Sequence, residues 1–147
     1  MEKYLREPIN SLTHWVGAIL SLFALIAMLA KGLVNNASNV AIVSVVIFGI
    51  SLILLYSVSA TYHGVITSEK IIFRLRKLDH SMIFILIAGS YAPFCLIALG
   101  GSKGTVFFTT IASIALAGIL FRMLWFNCPR WLQTSPVSYT HLTLPTI

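Results

Sequence analysis

Charge is what this sequence has least of. Only 10% of its 147 residues are Asp, Glu, Lys or Arg, against about a quarter in an ordinary soluble domain. With 58% hydrophobic residues, that shortage excludes a typical water-soluble fold and makes domain counting by length irrelevant. Cysteine is also scarce. Two residues, Cys95 and Cys128, are too few for a disulfide framework, and both read as packing side chains at opposite faces of the topology below. Low-complexity segments and usable repeats are lacking. The first residues, MEKYLREPINS, dilute their positive charge with two acids, and no small-residue cleavage site follows, so a cleaved signal is not expected.

What is present is long apolar runs. A bilayer core about 30 Å thick needs about 20 apolar residues in a helix. Four runs qualify, at about 12–30, 40–62, 81–99 and 105–126. The segments between them, KGLVNNASN, a basic stretch over 64–77, and GGSKG, are expected as connections. The fold class is therefore all-α and integral to a membrane.

Acids are outnumbered by Lys and Arg, four to ten, and the placement of the bases sets an orientation. With the N-terminus cytoplasmic, that side collects Lys3, Arg6, Lys70, Arg74, Arg76, Lys77, Arg122 and Arg130, and the other keeps Lys31 and Lys103. The net charge of +6 then describes a basic inner face lying against anionic lipid. Nucleic acid is not the expected partner, because the charges are spread over short loops without a binding motif. Trp15, Trp125 and Trp131 fall toward the same interface as anchors, and Arg122 is expected to snorkel there. Pro93, within GSYAPF, should bend the third span, and the carbonyl it frees near Gly89 needs a partner such as a serine or water.

Under this topology the polar residues gather at one level. The first helix brings Glu7, Asn10 and His14, spaced i, i+3, i+7 on one face if Pro8 starts the helix. The second brings Ser59 and His63, one turn apart. The third begins with Asp79 and His80, the latter pointing roughly 100° away around the helix. Ionisable groups at membrane depth usually face a bundle interior and mark a functional site. Neutral imidazole is the commonest metal ligand, and a nearby carboxylate can orient it. Plainer roles are equally open at this point. Glu7 and Asn10 suit helix capping, His63 suits the wet headgroup region, and Asp79 suits a helix N-terminus.

Three segments resemble the hemolysin III family, the bacterial branch of the progestin and adiponectin receptor (PAQR) superfamily. They are EPINSLTHWVG (7–17), SATYH (59–63) and LDHSMIFILIAGSYAPF (78–94). The resemblance implies a seven-helix bundle with a cytoplasmic N-terminus in a bacterial plasma membrane. It also implies zinc, bound by the second-helix histidine, here His63, and by a His-x-x-x-His pair on a last helix. Asp79 would position the zinc-bound water and Ser59 would lie beside it. Glu7, Asn10, His14 and His80 would surround the site. Such a zinc supplies hydroxide for attack on a lipid amide or ester carbonyl. Two further readings stay open: a non-enzymatic receptor-like or homeostatic protein with structural zinc, and a pore-forming cytolysin. The resemblance says nothing about oligomeric state.

The expected domain layout is residues 1–135 as the four-helix part of such a bundle, followed by a foreign tail at 136–147. That tail, PVSYTHLTLPTI, resembles translated read-through of an adapter used in DNA sequencing, so His141 is not recruited as a ligand. On this reading the chain is an inactive fragment whose site lacks two of its three histidines.

Overall fold

A computed structural model describes residues 5–124. They form α1 (Pro8–Val34), α2 (Asn39–Gly64), α3 (Glu69–Pro93), a π-helical segment at Phe94–Leu99 and α4 (Gly101–Leu124). No strand occurs among the described residues. Four helical stretches, α3 and its π segment counting as one, are long and apolar enough to cross a membrane. Each helix packs chiefly on its neighbours in sequence, α1 on α2, α2 on α3 and α3 on α4. The membrane class expected from composition is thus the fold observed. The expected tail at 136–147, Trp125, Trp131 and Cys128 lie outside the described residues.

The helices outrun the apolar runs because hydropathy registers transfer into lipid, whereas helix ends are set by hydrogen bonding. Pro8 occupies the first turn of α1, where its missing N–H is no loss. At the other end Asn36 adopts a left-handed φ of 51°, and the amides of Asn36 and Ala37 bond back to Leu33 (3.2 Å) and Gly32 (2.8 Å). That is a Schellman closure with asparagine in the usual glycine position. Ser38 caps α2, its Oγ accepting from the Ala41 amide at 3.3 Å. The basic stretch expected as a connection is helical from Glu69 onward. Its straight-chain Lys and Arg residues favour helix, and Glu69 complements the N-terminal dipole. Within GGSKG only Gly100 stands outside a helix, and Gly100 and Gly101 take φ of 62° and 56°, a conformation that glycine adopts without strain.

At Pro93, where a bend is expected, the winding changes. The α-helical pattern ends at Pro93, and six residues of π-helix follow, closed by the Gly100 amide donating to Cys95 O at 3.0 Å. Proline has no N–H and its ring crowds the carbonyl one turn back, which disturbs the regular α-helical pattern at this point. Ser90 does not serve the freed carbonyl; its hydroxyl donates to Ile87 O at 2.9 Å.

Small residues make the helix contacts. Ser11, Ser21, Ser44, Ser51, Ser59 and Ser81 are buried, as are Ala18, Ala60, Ala92 and Ala115. In lipid the hydrophobic effect gives no drive for helix association, so small side chains that let backbones approach closely supply it. Most of the serine hydroxyls bond their own helix, Ser21 to Gly17 O (2.7 Å), Ser44 to Val40 O (2.6 Å), Ser51 to Phe48 O (2.7 Å) and Ser81 to Lys77 O (2.8 Å). Large side chains such as Leu20, Phe23 and Leu116 point outward, which is favourable against acyl chains. Cys95 is buried and unpaired, in keeping with a packing role. Arg122 departs from expectation: it is 8% exposed, drawn into the bundle rather than extended to the surface.

Where α4 crosses the π segment, a side chain at Gly104 would collide with the backbone carbonyl of Cys95. That carbonyl is held by Gly100 and cannot swing aside. Gly104→Ala is expected to destabilise the fold by about 1–3 kcal/mol, as overpacking does, read as a lowered thermal midpoint in detergent micelles.

Candidate functional site

The site begins with the unpaired carbonyls at the end of α2. The last four carbonyls of any helix lack partners within it. Here Thr61 O accepts from the Val65 amide at 3.0 Å, His63 O from the Glu7 amide at 2.9 Å, and Gly64 O from the Arg6 amide at 3.2 Å. Tyr62 O takes the Arg6 guanidinium at 2.6 Å. One turn back, Ser11 Oγ donates across to Ala60 O at 3.0 Å, and Gly64 leaves the room that Ser11 fills. The start of α1 is thereby fastened to the end of α2.

That fastening sets Glu7 beside His63. Glu7 Oε2 lies 2.8 Å from His63 Nδ1 and also accepts from Asn10 Nδ2 at 2.9 Å. The Asn10 amide, followed by the His63 hydrogen bond, holds the Glu7 carboxyl below the ordinary carboxylate range; the charges of His63 and Arg6 act the same way, against some desolvation. An ionised carboxylate only accepts, so Nδ1 of His63 carries a proton and a neutral ring keeps its lone pair on Nε2. Glu7 occupies the N-cap position of α1 but makes no side-chain cap bond. Its carboxylate serves His63 and Asn10 instead, which answers the capping alternative.

His14 joins from the next turns of α1. Its ring meets that of His63 edge-on with centroids 5.5 Å apart, and meets Tyr56 at 6.0 Å. Its Nδ1 is buried without a hydrogen-bond partner. Glu7, Asn10, His14 and His63 therefore form one cluster, as their spacing predicted, with Ser59 buried one turn deeper on α2.

Asp79 and His80 make contacts of their own on α3. Asp79 Oδ2 stands 3.9 Å from His80 Nδ1, and His80 Nδ1 donates to Arg76 O at 2.7 Å. Among the described residues no hydrogen bond or ion pair links Asp79 to His63 or Ser59.

Sequence reasoning missed Arg6, Ser11, Tyr56 and Tyr62. Arg6 counted only as charge, and Tyr62 reads from the sequence as a packing or interface residue. In the structure Arg6 lies 4.3 Å from the Tyr62 ring centroid, and that ring lies 4.8 Å from the ring of His63. Arg76 Nε donates to Tyr62 Oη at 3.0 Å, bringing α3 to the same place. The only local hint was their nearness to EP and YH; the contacts themselves span 56 residues.

Comparison with known proteins bears on this geometry. A family model described as Haemolysin-III related matches residues 2–144. Hemolysin-3 of Bacillus cereus is 36% identical over 140 residues, covering 95% of this chain and 62% of the relative. The Hemolysin-3 homolog of Bacillus subtilis (strain 168) is 41% identical over 117 residues, covering 80% and 54%. The chain thus spans between half and two thirds of the length of these relatives. No solved structure matches.

A carboxylate whose folded pKa is lowered stabilises the fold fully above its unfolded value and loses that contribution as pH falls through the folded one. The wild-type chain should therefore unfold at a higher temperature than Glu7→Gln at neutral pH. The gap should close on acidification below the ordinary carboxylate range; a gap independent of pH would show that Glu7 acts through shape alone.

Proposed function

The chain belongs to the Haemolysin-III related family of multi-pass membrane proteins, and from that premise we propose that His63 is one ligand of a zinc site serving membrane lipid homeostasis. The observation behind the reading is the 2.8 Å contact between Glu7 and His63 Nδ1. Metal-binding histidines almost always donate their second ring N–H to a carboxylate, a backbone carbonyl or water, and a carboxylate there fixes the tautomer and aims the other nitrogen outward. Asn10 steadies that carboxylate, and His14 walls the imidazole on one side.

The described residues provide one oriented imidazole and not a full donor set. Among them no group of three His, Cys, Asp or Glu stands together to hold a metal ion. No hydrolytic step is therefore drawn through these residues, and further ligands would come from outside them. Asp79 as the residue holding a water, Ser59 as its neighbour, and a lipid amide or ester as substrate rest on the family resemblance alone.

The relatives' name suggests lysis, and a pore is the alternative it raises. A conducting path needs a polar stripe through the bundle. The hydroxyls of Ser11, Ser21, Ser44, Ser51 and Ser81 are each bonded to a backbone carbonyl, which favours packing over hydration.

Bound zinc, measured by elemental analysis on purified protein of the relatives' full length, tests the site. Wild type should carry zinc and His63→Ala should lose it. Glu7→Gln should bind about 10–100-fold more weakly, the usual effect of removing the carboxylate behind a ligating histidine. Hydrolysis of a lipid amide, abolished by Asp79→Ala, would mark the zinc as catalytic, and zinc without hydrolysis in wild type would mark it as structural. A wild type without zinc would sink the proposal.

A further inference from the structure

A second polar feature lies on the outer side of the Tyr62 contacts. A cavity of about 460 Å³ is lined by Arg6, Thr67, Glu69, Ile72, Phe73 and Arg76. It draws on the segment before α1, the connection between α2 and α3, and the first two turns of α3. None of its lining residues belongs to the Glu7–His63 cluster.

Its charges are arranged without neutralising one another. The Arg6 guanidinium is fixed by Tyr62 O and the Tyr62 ring, and its Nε is buried without a partner. Its ion pair, at 3.5 Å, is with Glu7 and not with Glu69. Among the described residues the Arg76 guanidinium bonds through Nε alone, toward Tyr62 Oη. Glu69 shares the cavity with both guanidiniums yet has no ion-pair partner among the described residues. Two anchored cations, one free carboxylate and two apolar side chains therefore surround a space large enough for a small zwitterion.

Depth in the bilayer narrows the choice. The stretch from Glu69 to Leu99 has 31 residues, roughly 46 Å of helix at about 1.5 Å per residue. A hydrocarbon core takes up about 30 Å. The excess falls at the charged end, EKIIFRLRK, which sets Glu69 and Arg76 in the headgroup layer. A phosphodiester there meets guanidinium forks suited to its oxygens.

We propose that this cavity binds the headgroup of an ammonium-bearing phospholipid. Arg6 and Arg76 take the phosphodiester, Glu69 takes the ammonium, and Ile72 and Phe73 cover the glycerol and first methylenes. A primary ammonium donates hydrogen bonds to Glu69, whereas a trimethylated one has no N–H to give. Phosphatidylethanolamine should therefore be preferred over phosphatidylcholine. Glu69 should disfavour a headgroup that is only anionic. The inference stands on the membrane fold and does not depend on zinc.

Native mass spectrometry of the chain, released from micelles containing equal amounts of phosphatidylethanolamine, phosphatidylcholine and phosphatidylglycerol with matched acyl chains, reads the preference directly. Phosphatidylethanolamine adducts should exceed each of the others about fivefold, the worth of one hydrogen bond lost with the choline headgroup or at most one exposed ion pair lost with the glycerol headgroup. Glu69→Gln should erase the margin over phosphatidylcholine and raise phosphatidylglycerol. Arg76→Gln should lower all phospholipid adducts about fivefold, with Arg76→Lys restoring part of the loss. Glu69 is exposed and has no side-chain bond among the described residues, so its variant decides the matter even if Arg76→Gln fails to fold. Equal retention of the three lipids by wild type, or an unchanged preference in Glu69→Gln, would overturn the proposal. Displacement of the lipid by millimolar inorganic phosphate would assign the site to free phosphate and overturn it as well.

Discussion

The polar end of this bundle depends on how α2 finishes. A helix ending at the edge of a bilayer leaves four carbonyls without partners, and each one left dry costs several kcal/mol. The chain meets three of those four with Arg6 and Glu7 alone, through two amides and one guanidinium. Once that is done, the place where α1 starts is no longer free. Pro8 then commits the next residues to helix, and Ser11, Asn10 and His14 follow in register. The Glu7–His63 pair is thus a consequence of closing a helix end, and the chemistry of the site is built on a backbone requirement.

The same end is where the other helices are tied. Arg76 on α3 reaches Tyr62 Oη, and the Lys77 ammonium donates to Met123 O on α4 at 3.0 Å. Cations that the loops carry for orientation are thereby also used as clasps between helices. These contacts lie where water is at hand, so the long side chains keep their solvation while their tips bond the protein. Deeper in the bundle the contacts change character. Serine, alanine and glycine take over, because at that depth a bonded hydroxyl or a missing side chain is tolerated where a charge is not.

Much of this was legible in the sequence, and the rest was hidden for identifiable reasons. The four spans followed from apolar length, and the clustering of Glu7, Asn10, His14 and His63 followed from spacing plus a hairpin topology. Periodicity reports which face a residue occupies, so it found those four. It does not report which carbonyl lacks a partner, so Arg6 and Ser11 went unseen. Hydropathy also placed the end of α1 too early, at 30, and the starts of α3 and α4 too late, at 81 and 105, while its end for the third span, 99, is that of the π segment. Capping by Asn36, Gly100 and Gly101 carries little transfer free energy, and the basic residues of 70–77, costly to move into lipid, form helix outside the span that hydropathy registers. Arg122 was misread because snorkelling presumes open water near the helix end, whereas the packed bundle there takes the side chain in. Asp79 was placed with His63 by level, and among the described residues no hydrogen bond or ion pair joins the two.

Tyr62 is where the two polar features become one mechanical unit. Its ring leans on His63, its carbonyl and ring hold Arg6, and its hydroxyl holds Arg76. The Glu7–His63 cluster needs Arg6 in place, because the Arg6 amide and side chain secure the segment that presents Glu7. The outer cavity needs the same Arg6 as one of its two cations. Filling that cavity with an anion would therefore draw on a guanidinium that also lies 3.5 Å from Glu7, competing for the charge that helps keep this carboxylate ionised. Arg6 and Tyr62 are thus shared by both features, and Tyr62, buried and bonded at ring, carbonyl and hydroxyl, is packed against each of them.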